Sequence, residues 1–277
     1  MYGSRGRSFP GGGRLIIAAI MIVVALVGYF GSSQVNPVTG QTQHISISPE
    51  QETAMGLQAA PEMEAQYGGL SSNQQASELV ARVGNQIWQN SDAAKGPYQF
   101  EYHLLADQQT INAFALPGGQ VFITEALMSL LQTEGQLAGV LAHETSHAIL
   151  RHSAEQLAKS QLTQGLTGAA VIAAVDPNDP RSYRNAQFAM LVNQMVNLKF
   201  SRTDEVEADT FGVKYMAQAG YDPRSMIDVM KVLEQSSTGP RPAEFMSTHP
   251  DPGNRIQNIQ QAIDQLYPNG VPAGLKR

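Results

Sequence analysis

The chain has 277 residues, enough for one sizeable domain with an appendage or for two small domains. Its composition is ordinary for a globular protein, and the net charge of −6 leaves −9 beyond residue 31, because residues 1–31 hold Arg5, Arg7 and Arg14 and no acid; an acidic main body argues against nucleic acid as a partner. There are no cysteines, which excludes disulfides and thiolate metal sites, so any zinc must be held by histidine and carboxylate.

Leu15 to Phe30 is an uncharged run of apolar and small residues, and the next charge after Arg14 is Glu50. A bilayer takes roughly 17–25 residues, so the run suffices if the flanking glycines lie at its edges. All the arginines near it precede it, which orients residues 1–14 as a cytoplasmic basic N-terminus, 15–31 as a transmembrane anchor and the rest as translocated. A cleaved signal peptide is the competing reading. Residues 32–47 read as a polar linker and 48–277 as one folded domain.

Within that domain Ser48-Pro49-Glu50-Gln51 predicts a helix start, with Ser48 as N-cap and Gln51 closing a capping box, and the helix runs to about Gln66. Ser72 to Asn90 is a second helix, with Leu79, Val80, Val83 and Ile87 on its apolar face. Phe100, Tyr102 and Leu104 alternate with polar neighbours as in a strand. Asn112–Leu116 and Gln120–Ile123 flank Pro117-Gly118-Gly119, a hairpin with a Pro-Gly turn. Helical patterns fill most of Glu125 to Tyr267, with breaks at Asp176–Arg181, Gly220–Pro223 and Gly239–Gly253. Gly165–Val175 is too short to span a bilayer and reads as a packed helix.

The motif that carries chemistry is His143-Glu144-Thr145-Ser146-His147, inside the helical stretch Leu137–Leu150. Two imidazoles four residues apart share a helix face and can bind one metal ion, and the glutamate between them can take a proton from water at that ion. Polar groups in so apolar a helix are costly to bury without a task. Zinc needs a third protein ligand. In Ser201–Asp209, Glu205 and Asp209 lie four apart on one face, and Glu207 points elsewhere. Glu205 can ligate, with Asp209 accepting a hydrogen bond from the free nitrogen of a ligating histidine. The competing reading of these acids is a solvated helix face.

H-E-x-x-H followed by S-R-x-x-E-x-E-A-D resembles the CAAX-prenyl-protease-like zinc metalloendopeptidases, the gluzincins of peptidase family M48. Further matches are Asn112–Gly119, Gly220-Tyr221-Asp222-Pro223, and Ser247-Thr248-His249-Pro250 with Asn254-Arg255. The resemblance spans about residues 48–267. It implies one zinc per chain held by His143, His147 and Glu205, with Glu144 as general base and Asp209 supporting a ligand. It implies that Asn112, Ala113, Phe114 and Ala115 form an edge strand that pairs with an extended substrate. His249 matches a histidine that in some periplasmic relatives approaches the zinc and holds the enzyme shut; hydrogen bonding to the tetrahedral oxyanion is its other role, and a plain turn histidine the third reading. Arg255 pairs with acids near the cleft or caps the last helix. His152, five residues after His147, reads as a surface or supporting residue.

The expectation is a mainly α protein with a small β-sheet (α+β), a zincin-like metallopeptidase domain with an active-site helix behind one N-terminal transmembrane helix. It would hydrolyse peptide bonds of misfolded or misassembled envelope proteins from the extracytoplasmic side of a membrane, the periplasm in a Gram-negative source. Its partners would be polypeptides and the membrane, and no nucleic acid. The chain does not match the several transmembrane helices of the prenyl-protein processing enzymes. The alternative function is a metal-binding chaperone or adaptor that holds unfolded clients with little proteolysis.

Overall fold

A computed structural model describes residues 11–174, 199–237, 243–250 and 253–277, with side chains omitted at 11–15, 166–174 and 237. The expected break at Asp176–Arg181 lies outside these residues.

Helix α1 (Gly11–Gly31) leads into a short antiparallel hairpin of β1 (Ser33–Val35) and β2 (Thr42–His44), so the stretch that reads as a linker has structure of its own. Ser48 caps α2 (Pro49–Gln66) through the expected capping box with Gln51. Asn73 caps α3 (Gln74–Gln89), whose buried face carries Val80, Val83, Gly84 and Ile87. That face lies on the sheet: the ring of Tyr102 fills the place where a side chain at Gly84 would stand.

The sheet has the order β3 (Glu101–Leu105), β5 (Gln120–Thr124), β4 (Ala113–Ala115), with β3 parallel and β4 antiparallel to β5. The β4–β5 turn has Pro117 followed by Gly118 at φ +85°, the type II arrangement that Pro-Gly favours. Gly118 sits directly on the backbone of Thr53, and Gly56 faces the Pro117 carbonyl, so small residues on both sides let α2 close over the turn. Beyond the sheet come α4 (Glu125–Leu130), α5 (Glu134–Ile149) and α6 (His152–Ala174), then α7 (Arg202–Gln218), α8 (Arg224–Ser237), the one-turn α9 (Phe245–Thr248) and α10 (Arg255–Leu266).

Helix α5 is the centre of the core. Every residue from Gly135 to Ile149 is buried, and the helix packs against α3, α7, α8 and β4. A helix apolar on nearly all sides belongs inside. Mainly helical structure with a small sheet agrees with the expected α+β class. Helix α6 packs along α1, with Gly165 at the contact with Ala25, which agrees with a packed helix over Gly165–Ala174. Among the described residues no helix is long and apolar enough to cross a membrane.

Candidate active site and metal centre

The α5 helix sends His143 and His147 to one side and Glu144 next to them. Thr145 and Ser146, the variable positions of the motif, turn their hydroxyls back to the Leu141 and Ala142 carbonyls, and Thr145 also bonds to the Tyr102 hydroxyl at 2.9 Å. The histidines therefore face outward from α5 toward α7, where the Ser201 capping box with Asp204 starts the helix just before Glu205.

His143, His147, Glu205 and His249 place one ligand atom each within 4.8 Å of one another, all buried. The Nε2 atoms of His143 and His147 are 3.0 Å apart. Glu205 lies 3.5 Å from His143 Nε2 and 3.4 Å from His147 Nε2. His249 Nδ1 is 3.0 Å from Glu205 Oε1 and 3.3 Å from His143 Nε2. Ligands about 2.0–2.1 Å from a tetrahedral zinc are about 3.3 Å apart. The residues present thus fit one zinc ion, with nitrogen and oxygen lone pairs converging on one point.

The outer nitrogen of His143 has a partner as well. His143 Nδ1 lies 2.9 Å from Asp209 Oδ1, and Arg255 clamps the same carboxylate with Nε at 2.8 Å and a terminal nitrogen at 2.9 Å. The other terminal nitrogen of Arg255 is 3.2 Å from Glu205. Arg255 is the first residue of α10, but it is buried and turned into the site. Of its two expected roles the structure shows pairing with the acids.

Burial drives the His147 pKa well below its ordinary value, which keeps a neutral imidazole ready to ligate. Burial and the Arg255 charge also oppose a charge on His143, but hydrogen bonds to Asp209 and Glu205 outweigh them and lift its pKa to about 9 without the metal, so zinc binding would release that proton. Glu205 stays ionised: burial disfavours its charge, yet His249, His143 and His147 hold its pKa well below the carboxylate range. For Asp209, burial is likewise overcome, here by Arg255 and His143. Glu144 goes the other way. Burial pushes its pKa up, and both its oxygens are buried without a hydrogen bond. A raised carboxylate with free lone pairs beside a metal centre suits proton transfer.

His249 is buried in the site and not in a solvent turn. It stacks on Phe245 with ring centroids 4.2 Å apart, and its Nε2 is 3.6 Å from Glu144. The edge strand lies close by: Asn112, Phe114 and Ala115 share a small cavity with Met63, Phe200 and His249. Strand β4 is at the sheet edge among the described strands. Residues Asn112 and Leu116 bond to β5, and Phe114 pairs with Phe122, so the peptide groups of Ala113 and Ala115 face the open edge.

Sequence reasoning left His152 open between a surface and a supporting residue, and the structure shows the second position. His152 is buried and touches His147, and Glu207 touches His152. Sequence reasoning gave no role to Phe200, which stacks on His147 with centroids 4.0 Å apart. For His152 the helical wheel misleads, because α5 stops at Ile149 and the wheel does not continue through Arg151, whose φ is 59°. No signal in the sequence marks that turn.

Comparison with known proteins agrees with the geometry. Residues 72–263 match the model of Peptidase family M48. Over 242 residues the chain is 32% identical to the mitochondrial metalloendopeptidase OMA1 of Schizosaccharomyces pombe, covering 86% of this chain and 69% of that protein. It is 28% identical to the beta-barrel assembly-enhancing proteases of Yersinia pestis (87% of this chain, 50% of that protein) and of Escherichia coli strain K12 (91% and 52%). The chain thus spans about half the length of these bacterial relatives. The chain belongs to peptidase family M48 and carries the metalloendopeptidase domain of that family, with zinc as its cofactor.

Proposed function

We propose that the chain is an active zinc endopeptidase, anchored in a membrane by α1, that cuts extended segments of misfolded or misassembled envelope proteins on the extracytoplasmic side. The observation that carries the chemistry is the convergence of His143, His147 and Glu205 on one point, with the unbonded carboxylate of Glu144 beside it.

His143, His147 and Glu205 would hold the zinc. When bound, zinc polarises a scissile carbonyl and makes water acidic enough to be deprotonated near pH 7. Glu144 takes that proton and delivers it to the leaving amine. The outward peptide groups of Ala113 and Ala115 hold the substrate main chain as an added strand. His249 lies among the same ligand atoms and would be able to offer a fourth ligand, which a substrate would then have to displace; its contacts with Glu205 and His143 support a site held shut at rest. Although no helix among the described residues is by itself long and apolar enough to cross a membrane, the apolar side chains of Ile16, Ile17, Ile20, Val23, Val24, Val27 and Phe30 are exposed on α1, and with the uncharged run Leu15–Phe30 they support the anchor reading.

Glu144→Gln is the decisive variant. It should keep one zinc per chain and lose casein cleavage by about 10²–10⁴-fold. Cleavage at the wild-type rate by the purified variant would remove Glu144 as the base. Alkaline carbonate extraction of membranes tests the anchor: the full chain should remain in the pellet, and its release would overturn that part of the reading.

A further inference from the structure

His152 follows a break in the chain. Helix α5 ends at Ile149, Leu150 and Arg151 turn with Arg151 in the left-handed region, and α6 begins at His152. The turn swings the His152 imidazole back onto α5. Its Nδ1 lies 2.9 Å from Nδ1 of His147, with the rings edge to face, and its Nε2 lies 3.2 Å from Oε2 of Glu207. His152 is 1% exposed.

On the zinc reading proposed above, this chain of contacts has only one proton arrangement. His147 points Nε2 at the convergence of ligand atoms. That nitrogen must offer its lone pair, so the ring proton sits on Nδ1. The neighbouring atom, Nδ1 of His152, must then accept. Its own proton is therefore on Nε2, which donates to Glu207.

We infer that His152 and Glu207 are positioning residues for the zinc ligand His147, setting its tautomer and ring orientation as Asp209 does for His143. The three acids of Glu205-Val206-Glu207-Ala208-Asp209 are then fully accounted for. Glu205 turns to the ligand cluster, Asp209 to the outer nitrogen of His143, and Glu207 to the outer partner of His147. The two supports differ in charge for a physical reason. Asp209 has Arg255 as counter-charge. No cation pairs with Glu207 among the described contacts, and its side chain is 22% exposed. The His152 ring links Glu207 to His147, so two imidazoles stand between that carboxylate and Glu205.

The test is zinc affinity by chelator competition on the full chain, together with the visible spectrum of the cobalt-substituted protein. His152→Ala should weaken zinc by about 10–100-fold and shift the cobalt bands, the size expected for loss of a ligand's outer partner. His152→Asn can place an amide oxygen where Nδ1 accepts and should recover most of the affinity; His152→Gln, which reaches instead toward Glu207, should not. Glu207→Ala should move the cobalt bands in the same direction by less. In wild-type zinc protein, long-range proton–nitrogen correlation should find His152 protonated at Nε2. If His152→Ala fails to fold, Glu207→Ala and the wild-type tautomer decide the question. Zinc affinity within about threefold of wild type in His152→Ala with an unchanged cobalt spectrum would overturn the inference while leaving the site intact, as would a proton on Nδ1 of His152. Wild-type protein that takes up no zinc would instead overturn the site reading, and this inference with it.

Discussion

The two ends of the active-site helix are secured in different ways. At the N-terminal end Thr133 and Gln136 form a capping box within four residues of chain. Glu134 beside them pairs with Arg82 at 2.9 Å and Lys276 at 3.1 Å, and accepts from the Tyr221 hydroxyl at 2.7 Å. The C-terminal end closes only on its own backbone, with the Leu150 amide on the Ser146 carbonyl and the left-handed Arg151 giving its amide to Ala148, and no side chain of the turn caps it. Its carbonyls are met from over a hundred residues away: Asn36 donates to Ile149 and Gln43 to Leu150, both from the hairpin just after α1. Arg151 then binds the buried Glu52 of α2, Gln34 of β1 and the Ile47 carbonyl, and Glu52 also accepts from Tyr98. His147 lies next to this second end. The difference teaches that the turn bearing His147 depends on the segment joining the domain to α1, whereas the far end is capped by its own side chains and only braced from elsewhere in the domain.

The strongest way to break the comparison is Arg151→Met. It leaves Glu52 buried without its counter-charge and should cost about 3–5 kcal/mol in denaturant unfolding. Adding Glu52→Gln should recover part of that loss, and no recovery would mean that Arg151 acts through its unusual backbone instead. Asn36→Ala comes next. Stranding the Ile149 carbonyl should cost about 1–3 kcal/mol and weaken zinc binding as well. Thr133→Ala should cost about 1 kcal/mol with zinc affinity unchanged. Equal effects of these two variants on zinc would erase the distinction between the ends.

The smallest effect is electrostatic. Hydrogen bonds from Arg82 foremost, then Tyr221 and Lys276, hold the Glu134 pKa down at about 2 against burial. A carboxylate depressed in the folded state contributes stability fully above its unfolded pKa of about 4.3 and loses it as pH falls toward 2. The pair is solvent-screened, so Glu134→Gln should cost less than about 1 kcal/mol at pH 7. The gap between variant and wild type should close between pH 4.5 and 2 in thermal melts; a gap that persists at the lower pH would assign the effect to packing.

Local signals carried much of the fold. The Ser48 capping box, the Pro-Gly turn and the alternation at Tyr102 and Leu104 each act within a few residues, and each appears where its pattern stands. The start of α5 is a partial exception: apolar periodicity begins at Leu137, while the helix begins at Glu134, because capping residues are polar and lie ahead of the apolar face. In the same way, the four-residue spacing of His143 and His147, and of Glu205 and Asp209, determines which side chains share a face.

What spacing could not decide is which faces meet. The α5–α7 packing brings Glu205 to the histidines and turns Asp209 to the outer nitrogen of His143, while the end of α9 presents His249 and the start of α10 presents Arg255 to the site. His152 shows the limit most plainly. By sequence alone it is one more histidine on a helix, and only the left-handed turn at Arg151 returns it to His147. The sequence by itself determined the ligands' types and the helix that presents them, since both follow from covalent geometry and local hydrogen bonding. The tertiary structure decided the place of His249, the buried counter-charges and the contact between His152 and His147, because those depend on burial and on contacts that local geometry does not fix.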